Sequence, residues 1–156
     1  MSQPAVLFVC LGNICRSPLA EAAFRAELDR RGVAMEVDSA GTGGWHSGEP
    51  PDPRAQHVAR KHGVDIGNLR ARQVRKLDFT RFSHIVAMDG DNLENLHALR
   101  PADATAELSL LLDHVPGREG QSVADPWYGN SAGFDITWRD VSQGAEALAR
   151  KLLGPA

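Results

Sequence analysis

A strand, a short loop and the start of a helix follow one another in the stretch Val6-Leu7-Phe8-Val9-Cys10-Leu11-Gly12-Asn13-Ile14-Cys15-Arg16-Ser17-Pro18. The apolar, largely β-branched and aromatic run over 6–9 is typical of a buried strand. Ser17 is a residue type that caps helices, and Pro18 fits a first helical turn, where its missing N–H costs nothing. The spacing of apolar residues then predicts an amphipathic helix over 19–31.

The loop between this strand and this helix carries groups suited to an oxyanion. Unpaired backbone N–H groups converge where a helix begins after a strand. Gly12 and Asn13 tolerate the left-handed backbone conformation that turns such groups inward. Arg16 adds a permanently charged, planar fork that fits two phosphate oxygens. Cys10 would lie beneath the anion in a field that favours its thiolate, which predicts nucleophilic phosphoryl transfer.

The composition predicts one globular domain over residues 1–156. Hydrophobic residues make up 42% of the chain and charged residues 24%, ordinary values for a protein long enough to bury a sizeable core. The net charge of −3 gives no polybasic signature, so neither nucleic acid nor a membrane is expected as a partner. The first apolar run is too short for a signal peptide, and no apolar stretch of the sequence approaches the length of a membrane span, which predicts a cytoplasmic protein.

Both cysteines of the chain, Cys10 and Cys15, lie in the same loop. They cannot form a disulfide framework, and without a matching Cys/His pair elsewhere they do not predict a zinc site. The arrangement indicates a reactive thiol, and we expect no metal or organic cofactor. Cys15 is close enough to Cys10 in a curled loop for a disulfide, but it also suits a small buried residue behind the loop.

Strand and helix patterns alternate over the rest of the chain. Strands are predicted at 35–37, 82–88 and 107–112, a loop at 39–44, and helices that begin at Asp52-Pro53, Asn92 and Asp135. This alternation predicts a Rossmann-like α/β fold, with a four-stranded parallel sheet and helices on both faces. Ligands in such sheets bind at the carboxyl ends of the strands, where the Cys10 loop falls.

The loop over 10–17 resembles the phosphate loop of low-molecular-weight protein tyrosine phosphatases, in which a cysteine, five further residues and Arg-Ser follow one another. From residue 5 to about residue 153, other stretches match in the family's order: Ser39-Ala40-Gly41-Thr42, Gly44-Trp45-His46, Asp52-Pro53-Arg54, Ala71-Arg72-Gln73, Ala87-Met88-Asp89 and Asp125-Pro126-Trp127-Tyr128-Gly129. The resemblance implies the phosphotyrosine phosphatase I fold and hydrolysis of phosphotyrosine or small aryl phosphates through phosphocysteine. It also implies a phosphotyrosine protein as substrate, inorganic phosphate as product inhibitor and a cognate tyrosine kinase.

Thiolate attack on a phosphate ester expels an oxygen that needs a proton, so a second group must face Cys10 across the phosphorus. Asp125 is the candidate for this general acid and for the base that later activates water. An Asp-Pro pair taken alone is more often an ordinary turn. Its place in the family's order favours the catalytic role.

Supporting roles follow from the resemblance. Ser17 is expected to donate to the Cys10 sulfur besides capping the helix, and Asn13 to hold the loop's shape through side-chain-to-backbone bonds. Ser39 is expected to bond Asn13, and His62 matches a histidine of this supporting layer. The phosphate is expected to be bound by the loop residues Leu11, Gly12, Asn13, Ile14, Cys15 and Arg16.

Three aromatic residues are expected to form the pocket walls. Trp45, Trp127 and Tyr128 would favour phosphotyrosine over the shorter phosphoserine, although Trp45 also suits a loop side chain packed on the core. By resemblance, a reversible Cys10–Cys15 disulfide would protect the nucleophile from further oxidation.

Two other classes of protein are alternatives. An arsenate reductase shares this loop and fold but needs further cysteines downstream, and none follows Cys15. A non-catalytic phosphotyrosine-binding module would lack a usable nucleophile or acid, whereas Cys10, Arg16 and Asp125 are all present. The residues therefore favour the phosphatase.

Overall fold

The computed structural model describes residues 3–127 and 129–155. Its four strands form a parallel sheet in the order β2-β1-β3-β4, with β1 at Ala5–Cys10, β2 at Glu36–Gly41, β3 at His84–Ala87 and β4 at Glu107–Leu110. Every residue of β1 is buried, as expected for a parallel strand covered on both faces. Because β1 lies inside the sheet, Cys10 at its carboxyl end is flanked by Gly41 of β2.

Helices cover both faces of this sheet. They are α1 at Arg16–Arg31, α2 at Pro53–Lys61, α3 at Asp78–Arg81, α4 at Gly90–Leu99 and α5 at Ser131–Leu153, with a short 3₁₀ helix at Leu111–His114. Residues of α1, α2 and α5 share one apolar core with Phe8, and residues of α3 and α4 share the other with Leu7. This confirms the predicted α/β fold. None of these helices is both long and apolar enough to cross a membrane.

Three strand predictions needed correction. The strand predicted at 82–88 is limited to His84–Ala87. The predicted strand at 35–37 and loop at 39–44 are replaced by a strand over Glu36–Gly41. Its last three residues, though small and polar in part, pair with 8–10 of β1, so long-range pairing overrides local composition. The strand predicted at 107–112 ends at Leu110, whose N–H donates to the Asp113 carboxylate as the chain turns into the 3₁₀ helix.

Two helix starts show opposite outcomes. Asp52 caps α2 as predicted, because its carboxylate accepts a hydrogen bond from the Arg54 N–H at 2.8 Å and Pro53 takes the first helical position. The capping prediction for Ser17 was wrong. Helix α1 begins at Arg16, and its cap residue, Cys15, makes no side-chain cap bond. Ser17 lies inside the first turn with its hydroxyl directed into the loop.

Close contact between α5 and the 3₁₀ helix requires a glycine at 144. A Cβ at Gly144 would lie 2.4 Å from Cγ of the fully buried Leu111. We expect Gly144→Ala to lower the free energy of unfolding by about 1–3 kcal/mol through overpacking, measured by urea denaturation. Gly133→Ala is the matched control in the same helix, since its nearest neighbour would be at 3.6 Å. Equal stability of the two variants would contradict this packing.

Candidate active site

The loop at residues 11–15 turns its carbonyl groups outward. The carbonyl oxygens of Cys10, Leu11 and Ile14 accept hydrogen bonds from the N–H groups of Thr42, Gly43 and Asp52, at 2.9 Å each. Within the described chain, no backbone carbonyl accepts from the N–H of Gly12, Ile14 or Cys15. These unbound N–H groups lie ahead of the positive end of α1, an arrangement that binds anions.

Two residues allow this turn, for different reasons. Asn13 has a left-handed backbone with φ of 59°, as predicted. Gly12 does not share that conformation, so the expectation of a left-handed glycine was wrong. It has a steric requirement instead, because a Cβ there would come within 2.9 Å of the His46 ring.

The Cys10 sulfur lies at the base of the loop and is buried. Its Sγ is 3.0 Å from the Ser17 hydroxyl oxygen and accepts a hydrogen bond from the Asn13 N–H at 3.3 Å. The hydroxyl of Ser17 therefore touches the sulfur, as predicted. Hydrogen bonds from N–H or O–H groups stabilise a sulfur atom when it carries negative charge.

Behind the sulfur, a buried hydrogen-bond network fixes the loop. The amide nitrogen of Asn13 donates to the hydroxyls of Ser17 at 2.8 Å and Ser39 at 3.0 Å, and its amide oxygen accepts from the Arg72 N–H at 3.0 Å. The predicted Ser39–Asn13 bond is thus present. Ser39 donates in turn to the Glu21 carboxylate at 2.8 Å. Burial raises the pKa of the Glu21 carboxyl, although hydrogen bonds from Ser39 and Arg25 oppose this effect.

His62 is not part of this network. It is exposed, stacks on Trp138 with ring centroids 5.0 Å apart, and makes no hydrogen bond to Asn13 or Ser39 in the described structure. The physical reason is its position at the C-terminal cap of α2. The N-terminal end of that nine-residue helix touches the loop, so His62 lies about 14 Å further along. Glu21 and Arg72, which sequence reasoning did not assign to the site, occupy the supporting positions.

Arg16 is held in place by groups from two other segments. Its side chain is 3% exposed, and Nη1 donates to the Asp89 carboxylate at 2.7 Å and to the Val123 carbonyl at 3.0 Å. Asp89 also caps α4 by accepting from the Asn92 N–H at 2.7 Å. Sequence reasoning missed this role of Asp89, although an aspartate directly before a helix signals a cap.

Asp125 reaches the same site from the loop before α5. Its Oδ2 lies 3.6 Å from Nη2 of Arg16, while Oδ1 accepts a hydrogen bond from the Trp127 N–H at 3.0 Å. The carboxylate is partly exposed and lines the cavity that Cys10 also lines. A carboxyl group, a thiol and a guanidinium therefore surround one opening.

This opening is a cavity of about 290 Å³ with aromatic walls. Trp45 is 70% exposed and Trp127 39%, and both line it together with His46. The exposure of Trp45 contradicts the alternative that it packs on the core. His46, which was not predicted as a site residue, pairs with Glu49 at 3.1 Å. Tyr128, the third predicted wall, lies outside the described residues.

Cys15 is buried and, like Cys10, is a free thiol, and both residues line the cavity. Burial raises the pKa of the Cys15 thiol far above its usual range, and the nearby Asp52 carboxylate acts in the same direction. Cys15 is therefore a protonated thiol at neutral pH. Over residues 3–127 and 129–155, no group of three His, Cys, Asp or Glu side chains could hold a metal ion.

Comparison with known proteins agrees with this geometry. Residues 5–154 match the family model described as low molecular weight phosphotyrosine protein phosphatase. A phosphatase of that name from Schizosaccharomyces pombe is 45% identical over 132 residues, which cover 83% of this chain and 84% of the relative. The protein belongs to the low-molecular-weight phosphotyrosine protein phosphatase family, and it is a phosphatase enzyme.

Solved structures share the fold over almost the whole chain. The crystal structure of YfkJ from Bacillus subtilis superposes with a TM-score of 0.89 at 38% identity and covers 97% of this chain and 95% of its own. DARP, a Drosophila arginine phosphatase, superposes with a TM-score of 0.90 at 30% identity and covers 97% of this chain and 99% of its own. The fold thus serves phosphatases that differ in their named substrates.

Gly41 allows β2 to pass directly beside the loop. A Cβ there would lie 2.7 Å from the Leu11 carbonyl oxygen and 3.0 Å from that of Gly43. We expect Gly41→Ala to displace the loop and weaken binding of inorganic phosphate roughly tenfold or more, measured by calorimetry. In Gly44→Ala the only close neighbour of the new methyl group would be the flexible end of Gln73, since the Ser47 hydroxyl oxygen is at an ordinary contact distance of 3.6 Å, so the affinity for phosphate should be unchanged. Unchanged affinity in a folded Gly41→Ala protein would contradict this role.

Proposed function

We propose that this enzyme hydrolyses phosphotyrosine in proteins, and small aryl phosphates, through a phosphocysteine intermediate on Cys10. The observation that carries the proposal is a sulfur at the base of a loop in which the N–H groups of Gly12, Ile14 and Cys15 donate to no backbone carbonyl of the described chain, beside an opening lined by Arg16 and Asp125. A nucleophile, an anion site and a proton donor are the three elements that phosphomonoester transfer requires.

In the first step, the Cys10 thiolate attacks phosphorus as the bond from phosphorus to the aryl oxygen breaks. The loop N–H groups and Arg16 bind the other three phosphate oxygens and stabilise the charge that develops on them. Asp125, across the cavity, gives its proton to the departing oxygen. The tyrosine leaves as a neutral phenol, and phosphate stays bound to sulfur.

In the second step, a water molecule attacks phosphorus and the Asp125 carboxylate takes its proton. The bond between sulfur and phosphorus breaks, and Cys10 leaves as a thiolate. The Ser17 hydroxyl, 3.0 Å from the sulfur, stabilises this charge by a hydrogen bond. Inorganic phosphate is released, and because it fits the same loop we expect it to inhibit competitively.

The walls of the cavity favour an aromatic leaving group. Trp45 and Trp127 present ring surfaces at its opening, against which a phenol can stack while its phosphate reaches the loop. A phosphoserine is too short to place its phosphorus there. DARP has a similar fold and is named an arginine phosphatase. A phosphoarginine peptide is therefore the informative competitor against a phosphotyrosine peptide in substrate tests.

We place the enzyme in the cytoplasm, where reducing conditions keep a catalytic thiol active. There its substrates would be made by a protein-tyrosine kinase, which is therefore the expected partner in the reaction sequence. The chemistry needs no metal or organic cofactor. An arsenate reductase would need a further cysteine to relay a disulfide, and none follows Cys15.

The mechanism is tested by hydrolysis of phenyl phosphate at mildly acidic pH with a chelator present. Cys10→Ser should abolish activity, and Asp125→Ala should lower turnover about 10²–10⁴-fold through loss of proton transfer. Calorimetric binding of phosphate to Cys10→Ser would show that the loop is still formed. Activity that survives loss of Cys10 would reject the mechanism, and phosphate binding without turnover by the wild type would support a binding module.

We further propose that Cys15 protects the nucleophile. Peroxide would oxidise the Cys10 thiolate to a sulfenic acid, and the Cys15 sulfur would then form a disulfide with loss of water. In Cys15→Ser, peroxide would oxidise the sulfenic acid further to a sulfinic acid, which thiols do not reduce. Dithiothreitol should therefore restore peroxide-treated wild type but not Cys15→Ser. Because Cys15 must lose its proton first, the recovered fraction should rise with pH. Equal recovery of both proteins would refute this role.

A further inference from the structure

Arg54 joins the turn that carries the proposed acid to the start of α2. Its Nη2 donates to the Trp127 carbonyl at 3.2 Å and its Nη1 to the Gly129 carbonyl at 3.1 Å. Both carbonyls lie within four residues of Asp125. The same guanidinium also pairs with Asp52 through Nε and Nη2, at 3.1 Å each.

Asp52 connects this guanidinium to the phosphate loop. Its backbone N–H donates to the Ile14 carbonyl at 2.9 Å, one of the bonds that turn the loop's carbonyl groups outward. Its carboxylate is largely buried and also caps α2. Arg54 and Asp52 thus form a bridge from the loop that binds phosphate to the turn that follows the proposed acid.

The guanidinium is also packed between aromatic rings. Its Cζ lies 4.7 Å from the ring centroid of Phe134 in α5 and 5.5 Å from that of Trp127. These contacts fix its plane, and a planar guanidinium can then reach two carbonyls and a carboxylate together. A lysine ammonium in its place would keep the charge but not this geometry.

We propose that Arg54 is a positioning residue, which holds the carbonyls of Trp127 and Gly129 so that the Asp125 carboxyl faces the leaving oxygen. This inference rests on the proposed function of Asp125. Besides the backbone bond from Trp127 and the distant pair with Arg16, the exposed Asp125 carboxylate has no other polar restraint in the described structure. Proton transfer requires the donor within hydrogen-bond reach, and a displacement of ~1 Å can cost ~10²-fold in rate.

The dependence of the rate on the leaving group distinguishes a misplaced Asp125 carboxyl from general damage to the active site. Phenyl phosphate expels a phenol of pKa ~10 and needs the acid, whereas 2,4-dinitrophenyl phosphate expels a stable anion and does not. We expect Arg54→Ala to lower kcat/KM roughly 10–100-fold for the first substrate and less than about threefold for the second. Asp125→Ala should show the same contrast more strongly.

A double variant tests whether Arg54 acts through Asp125. Adding Arg54→Ala to Asp125→Ala should change kcat/KM for phenyl phosphate less than about twofold, because the group it positions is already gone. Arg54→Lys should give an intermediate contrast between the substrates. Arg60→Ala, an exposed arginine of the same helix without an ion pair in the described chain, is the matched control and should behave as wild type.

The outcomes are distinct. Equal losses for both aryl phosphates in Arg54→Ala, or full additivity with Asp125→Ala, would overturn the positioning role while leaving the proposed function intact. If Asp125→Ala hydrolyses phenyl phosphate as fast as the wild type does, the proposed function of Asp125 itself is overturned. If Arg54→Ala unfolds in thermal denaturation, the contrast in Arg54→Lys decides the question, with phosphate inhibition as the check that the loop is formed.

Discussion

A loop that offers its backbone N–H groups to an anion must have its carbonyl groups bound elsewhere, and this constraint organises the rest of the structure. The carbonyls of the phosphate loop are held by Thr42 and Gly43 after β2 and by Asp52 at the start of α2. These three bonds require β2 to run to Gly41 beside the loop and α2 to begin against it. The sheet and two helix ends are therefore arranged around one turn of backbone.

The same constraint explains the buried polar groups around the loop. Asn13 takes the left-handed conformation, and its side chain makes three hydrogen bonds to groups from three different segments. Arg16 is buried without becoming an isolated charge, because Asp89 and the Val123 carbonyl accept from it. Removing one partner from such an arrangement leaves a buried polar group unsatisfied, which costs more than the bond itself contributes. The loop is thus held in its conformation by hydrogen bonds within the protein itself.

The elements that depend on a local sequence pattern could be predicted from the sequence. The elements that depend on contacts between distant residues were predicted less completely. The apolar run, the loop and the following helix are adjacent in the chain, so β1, the phosphate loop and α1 were predictable. The strand at Ser39–Gly41 was not, because those residues become a strand only by pairing with β1. Asp125 was predicted through the order of motifs, without any evidence from the sequence of how it is held.

Resemblance to the family did not by itself identify the residues that support the loop. His62 has the right residue type at a matching position, yet it caps the far end of α2 and stacks on Trp138. Glu21 reads as an ordinary charged helix residue, but only 1% of it is exposed and it bonds Ser39. Asp89 and Arg54 belong to matching motifs, and only their contacts indicate what they hold. Three-dimensional proximity, and not residue type, decides these roles.

In the proposed mechanism, the Cys10 sulfur is the atom that receives phosphate. Rapid acid quenching during turnover of an aryl phosphate, followed by mass spectrometry of the peptide that contains both cysteines, tests it directly. We expect one phosphoryl group on that peptide, assigned by fragmentation to Cys10 and absent when turnover is prevented by Cys10→Ser. Phosphate on Cys15 or on another residue, or none at any quench time in a protein that is turning over, would contradict it.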